Sequence, residues 1–267
     1  MTRRTHPITK LAAFVALALM LAPLLTTVVF SFNSARTGLA WEAFTLHWYA
    51  VLFSNAEIGK AVLNSLIVAV VSTAISTVLG VMLAIALERY PRSRRAGQVL
   101  ETVVDLPVVT PDILFAAALV IAFSVLRGIS SAFMPGFLTM ILGHVVFEIS
   151  FVALVVRSRL TVIGRTLSEA GHDLYATPWS NFLRVTLPLI LPAIAAGAAL
   201  AFTLSLDDVV ISFFTSGPES TTLPIYIYST LRRGLKPDIH ALCTLIIVAT
   251  VLLVMLLMRL TTPKRSG

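Results

Sequence analysis

The sequence predicts an all-α membrane protein with six transmembrane helices and both termini in the cytoplasm, and three observations carry that prediction. Charge is scarce: of 267 residues 57% are hydrophobic and 12% charged, with a mean hydropathy of +0.93, whereas soluble domains are about a quarter charged. Next come the uncharged runs Leu11 to Ala35, Ala61 to Leu87, Val185 to Leu206 and Ile239 to Met258, each meeting the requirement of roughly 20 residues for a spanning helix. Two further apolar runs, about Val103 to Leu126 and Gly136 to Val156, are broken only by Asp105 and Asp112 and by Glu148. Last is the distribution of Lys and Arg: residues 1–10, 88–102, 157–184 and 259–267 together hold 14, and residues 33–60, 127–135 and 207–238 hold 6. The positive-inside rule puts the richer set in the cytoplasm. That topology accounts for the net charge of +7 and the pI near 10.1, so no nucleic-acid partner is inferred. The expected layout is a single transmembrane domain over 1–267, with helices at about 11–32, 62–87, 103–126, 136–156, 186–206 and 239–259 and a cytoplasmic loop at 160–184.

The first apolar run follows Arg3, Arg4 and Lys10. It is longer than a signal h-region of about 7 to 15 residues, and no A-x-A-like site follows, so it reads as an uncleaved helix. The exterior segment after it carries Trp41, Trp48, Tyr49 and Phe53, which suit a membrane–water interface. The second helix is rich in Val, Ala, Ser and Thr, and small residues let helices approach closely where lipid offers no hydrophobic drive. It ends at the basic turn ERYPRSRR, with Pro91.

The third helix contains Pro107 and Pro111. Each removes a backbone donor and kinks the chain, which a membrane helix tolerates where neighbours or cavity water satisfy the freed carbonyls. In the fourth, His144 and Glu148 share a face at i and i+4. A charge at that depth costs at least about 2.5 kcal/mol, so Glu148 must face the interior and find a partner. An interhelix hydrogen bond and a place on a cation pathway both satisfy that requirement. Nothing beside the pair has the spacing of a metal site. Cys243 is the only cysteine, which excludes an intrachain disulfide and a CxxC site.

Between the fourth and fifth runs lies TLSEAGHDLYATPWSNFLRVTLPLILP, Thr166 to Pro192, polar where its neighbours are apolar. Thr166 and Glu169 have capping-box spacing, and a short helix from Thr166 to about Tyr175 would set Leu167, Ala170, Gly171 and Leu174 on one face. Thr177 and Pro178 would end that helix or begin a second. Such a helix could lie on the lipid surface or dock onto another protein.

The pattern EAG-HDLYA-TPW-NFLRVTLPLILP resembles the EAA loop of ABC importer permeases of the MetI-like type I family. Glu169 and Ala170 match its start and Pro188 its closing LP. Gly171 stands where Ala is usual. Tyr175 stands where Gly is usual, and since Tyr takes a positive φ less cheaply than Gly, the bend there stays open. Further segments (SFN, FTLHWY and NSL near residues 31–65, LPVVTPDI at 106–113, AFTLSLDDVVISFFTSG at 201–217, and TLPIYIYSTLRRGLKPDIHAL at 222–242) are similar to the spermidine/putrescine permease subgroup.

The resemblance implies that Glu169, Ala170, Gly171, Asp173, Leu174, Tyr175, Ala176 and Pro178 contact a cytoplasmic ATPase. It also implies a heterodimer with a second permease, an ATPase dimer, an extracytoplasmic solute-binding protein that delivers a polyamine, and a place in the inner-membrane bilayer. The chain is not expected to be an enzyme or to hold a cofactor or metal. Its one Gly-Lys pair, Gly59-Lys60, lacks the other residues of a P-loop, so ATP would bind to a partner.

Asp207 and Asp208 end the fifth run about 22 residues after Arg184, roughly one bilayer core at about 1.5 Å per residue. Two carboxylates at a pathway mouth would attract a polycation in water-poor surroundings; a solvated helix end is the plainer alternative. Adjacent helical residues point about 100° apart, so one of the pair would line the pathway. Glu148 and Asp112 are the other candidates along it. The remaining readings are an importer of the same superfamily for another small solute and an ATP-independent secondary transporter. The latter should carry paired broken helices, and only the third helix looks broken.

Overall fold

The computed structural model describes residues 7–35, 40–89, 93–164, 166–233 and 237–261. Arg3, Arg4, the last six residues and the turn at Pro91 lie outside the described residues, and the orientation expected of the termini rests partly on them. Among the described residues the secondary structure is helical, apart from one isolated antiparallel bridge between Asn33 and Phe44. Two compact units form, residues 60–226 and the remainder.

In the smaller unit α1 (Pro7–Phe30) packs on α12 (Pro237–Thr261), as does α2 (His47–Ser54). The segment between α1 and α2 is tied down by side chains. Asn33 Nδ2 donates to the carbonyl of Ala40 at 2.6 Å, and Trp48 Nε1 to that of Asn33 at 2.7 Å. The Tyr49 hydroxyl meets Ser31 Oγ at 2.8 Å. Of the four aromatics expected at a membrane interface, Trp41 and Phe53 are exposed, whereas Trp48 and Tyr49 are half-buried by these bonds.

The larger unit is built on α3 (Ala56–Arg89), α6 (Phe137–Ile163) and α9 (Leu187–Asp207), with α6 packed most extensively against α9. Gly80 of α3 lies so close to α6 that a Cβ there would be 2.7 Å from Val152 Cβ, and the same valine faces Gly197 of α9 at ordinary contact distance. These two glycines let α6 sit against both neighbours, as close packing in lipid requires. Val152, Ala153, Val156, Leu160 and Ile190 fill the resulting core.

The expected third helix, 103–126, is instead two helices: α4 (Arg94–Val109) and α5 (Asp112–Arg127), bent by 113°. Pro111 forces the break. The preceding Thr110 is driven out of helical conformation to ψ 132°, as a residue before proline is, and Pro111 then starts the new helix. Pro107 is retained inside α4. The segments Ile8–Phe30, Ala56–Glu88, Phe137–Ile163 and Pro178–Asp207 are each long and apolar enough to cross a bilayer; the bent pair would make a fifth, and Pro237–Leu252 is a shorter apolar helix.

Candidate functional site

The polar stretch between α6 and α9 folds as two short helices, α7 (Thr166–Asp173) and α8 (Pro178–Asn181). α7 begins at Thr166, which is thus the first helical residue and not the N-cap that the capping spacing would make it; residue 165, before it, lies outside the described residues. Its C-terminus is closed by a left-handed residue, Tyr175, at φ +58°. The Ala176 amide reaches back to the carbonyl of Gly171 at 3.0 Å, the six-to-one bond of a Schellman motif. Tyr175 therefore supplies the conformation for which the family pattern uses Gly, at a cost of roughly 1–2 kcal/mol for a residue with a Cβ. Thr177 then caps α8, accepting from the Ser180 amide at 3.3 Å, and Pro178 occupies the first turn, where its missing donor costs nothing.

The turn pushes large side chains outward. Tyr175 is 97% exposed, and Leu174 and Trp179 are also exposed, as are Glu169, Ala170, Asp173 and Pro178; Ala176 and Gly171 are half-buried. Inside the bend, Asn181 is buried against Gly171, and a Cβ on Gly171 would lie 2.9 Å from its Cγ, Nδ2 and Oδ1. The Gly in place of Ala thus has a partner that sequence reading missed, ten positions away. Beyond α8 the chain widens into a π-helical segment, Phe182–Thr186. It precedes Pro188, whose ring would collide with the carbonyl four residues back in a regular helix.

The left-handed Tyr leads to a direct expectation. Tyr175→Gly should tighten the turn by up to about 1 kcal/mol, the relieved strain being partly offset by the greater freedom of Gly in the unfolded chain. The β-branched Tyr175→Val should loosen it. Amide hydrogen exchange over residues 170–180 of the purified protein measures both, and faster exchange in the Gly variant would contradict the strain.

The acidic residues expected along a pathway separate into different environments. Glu148 is fully buried: its Oε1 accepts from Ser72 Oγ at 2.9 Å and its Oε2 from Ser76 Oγ at 2.8 Å, both on α3. Ser72 Oγ also lies 3.3 Å from Ser205 Oγ of α9. The hydroxyl of Ser205 meets His144 Nδ1 at 2.8 Å, while His144 Nε2 meets Ser212 Oγ at 3.0 Å and approaches Asp208 Oδ2 at 3.4 Å. His144 Nδ1 is 3.8 Å from Glu148 Oε1, so the i, i+4 pair shares a face as expected, with the serines as closer partners.

Asp208 caps α10 (Val210–Thr215), accepting from the amides of Ile211 at 3.1 Å and Ser212 at 2.7 Å. Asp207 is the last residue of α9 and is exposed; Asp112 begins α5, is also exposed, and takes no part in this cluster. The structure therefore brings Glu148 and Asp208 together through His144 and leaves Asp207 and Asp112 facing outward. The serines were legible only as small residues. The i, i+4 spacing of Ser72 and Ser76, and the flanking of Asp208 by Ser205 and Ser212, become signals once the helices are packed.

Residues 76–267, which include the α6–α9 core and the exposed two-helix element inserted between α6 and α9, match the family described as "Binding-protein-dependent transport system inner membrane component". The chain belongs to that family: it is a multi-pass inner-membrane subunit of a transport system that depends on a separate binding protein. It is 40% identical over 227 residues to the putrescine transport system permease protein PotI of Escherichia coli K12, covering 85% of this chain and 80% of the relative. It is 37% identical over 243 residues to the spermidine/putrescine transport system permease protein PotC of Haemophilus influenzae, covering 91% and 92%. Its fold is similar to a chain of a bacterial ABC transporter that imports the acidic polysaccharide alginate (TM-score 0.76, 18% identity, 97% of this chain and 95% of that one). The MetNI methionine transporter gives a TM-score of 0.61 at 19% identity, covering 80% and 95%.

Proposed function

We propose that this chain is one of two different permease subunits of an ATP-driven polyamine importer, with ATP bound and hydrolysed by a separate cytoplasmic ATPase dimer. The observation that carries the substrate class is identity of 36–40% to putrescine and spermidine/putrescine permeases over most of the chain. The exposed α7–α8 turn supports the coupling role. Leu174, Tyr175 and Trp179 are exposed apolar side chains within six residues of one another, Glu169 and Asp173 are exposed on α7, and such a surface suits a groove on a partner; the excess of Lys and Arg around residues 157–184 favours a cytoplasmic position. Closure of the ATPase dimer would push α7 and α8, and through α9 shift the helices around the pathway.

Asp207 is the carboxylate best suited to meet a polycation, because Asp208 is engaged as the cap of α10 and beside His144. Asp207→Asn is expected to lower polyamine transported per ATP hydrolysed about tenfold without loss of assembled complex, and Asp207→Glu to retain most of it. Unchanged transport by the Asn variant would remove Asp207 from the pathway. The substrate class is tested by reconstituting the chain with its partner subunits in liposomes. ATPase stimulation is then measured with putrescine, spermidine, a neutral amino acid and a sugar, each on its cognate binding protein. Putrescine or spermidine should stimulate; stimulation by the sugar alone would overturn the assignment.

A further inference from the structure

The break between α9 and α10 is the place where the chain turns at the acidic pair, and a single imidazole touches it on both sides. α9 ends at Asp207, Asp208 is extended at φ −66°, ψ 125°, and α10 begins at Val210. His144 Nδ1 meets Ser205 Oγ, two residues before the break's Asp207, at 2.8 Å; Nε2 meets Ser212 Oγ, on α10, at 3.0 Å and lies 3.4 Å from Asp208 Oδ2. Each hydroxyl can donate or accept, so both ring contacts survive whichever nitrogen carries the proton. His144 is itself held: it is buried on α6, its neighbour Glu148 is anchored by Ser72 and Ser76 of α3, and Ser72 lies within 3.3 Å of Ser205. The ring thus bolts both arms of the break to the α3–α6 pair. Asp207, the exposed residue inside the bolted stretch, has its backbone direction set by contacts it does not make.

We infer that His144 is a positioning residue for Asp207: by clamping Ser205, Asp208 and Ser212 around the α9–α10 break, it aims the Asp207 carboxylate outward. The inference rests on the reading of Asp207 as the carboxylate that meets the transported cation. It assigns His144, Ser205 and Ser212 no contact with substrate, and it gives the buried Glu148 the task of holding the clamp rather than the cargo.

A double-mutant comparison in the reconstituted complex, with putrescine on its binding protein, tests this. The readout is putrescine transported per ATP hydrolysed, a ratio that loss of folded complex alone does not change. His144→Gln should lower the ratio about tenfold, the size of coupling between neighbouring groups, and should lower it no further in an Asp207→Asn background. Ser212→Ala and Ser205→Ala, which each remove one side of the clamp, should show the same dependence on Asp207 and serve where the His144→Gln complex assembles poorly. Equal losses in both backgrounds, or uptake and ATP hydrolysis falling together with the amount of complex, would overturn the inference while leaving Asp207 in place. Asp207→Asn without effect would overturn the pathway reading and the inference with it.

Discussion

Gly171→Leu is expected to abolish coupled uptake, lowering transport on the order of a hundredfold, as angstrom-scale misplacement of a working element can. Asn181 occupies the space into which any side chain at 171 would project, with three of its atoms 2.9 Å from the Cβ position. A leucine must displace that buried amide, and the angle between α7 and α8 changes with it. ATP hydrolysis by the partner subunits should then continue, or rise, without substrate moving. Glu169→Lys, which reverses a charge on the exposed side of α7, should uncouple in the same way without touching the bend. The steric cause is separable by a compensating change. Gly171→Ala should impair coupling mildly, and Asn181→Ala in the same chain should restore it. If Gly171→Leu transports normally per ATP hydrolysed, neither the bend nor the docking role survives.

The second large effect concerns stability. Replacing both Ser72 and Ser76 with Ala should strip Glu148 of the hydroxyls that solvate its two oxygens. A hydrogen bond to a charged group is worth about 1.5–3 kcal/mol, so the pair should cost about 3–6 kcal/mol if the carboxylate stays in place. Adding Glu148→Leu to the double variant should recover much of the loss, because an apolar side chain needs no donors and a buried ionic group is often replaced without penalty. Thermal unfolding of the purified protein in detergent distinguishes the cases. A double-Ala variant that melts with the wild type would mean that the serines do not stabilise Glu148.

The polar stretch between α6 and α9 shows how far local sequence reaches. Capping spacing predicted a helix from Thr166, the TPW triplet a possible second start, and the Tyr at a position where the pattern has Gly marked the one uncertain bend. These are short-range features, because caps, prolines and left-handed residues act within a turn or two of chain. The bond from the Ala176 amide to the Gly171 carbonyl that accompanies φ +58° at Tyr175 is itself local, whereas the packing of Asn181 on Gly171, ten positions away, lies past that range. The third helix marks a similar limit. Two prolines announced a kink, yet its size, 113°, depends on Thr110 leaving helical geometry and on what α4 and α5 pack against.

What the sequence by itself determined is the membrane character and the approximate helix positions. Uninterrupted apolar length and the distribution of Lys and Arg are additive properties of a linear chain set against a slab of fixed thickness. The family, too, was legible in contiguous motifs. The tertiary structure alone decided how the four acidic residues differ. Glu148 meets serines 72 and 76 positions away in sequence, and His144 meets serines 61 and 68 away. No periodicity encodes a hydrogen bond between helices that distant; it exists because Gly80 and Gly197 let α3 and α9 close on α6. That closure buries Glu148, ties Asp208 to His144, and leaves Asp207 exposed at the end of α9.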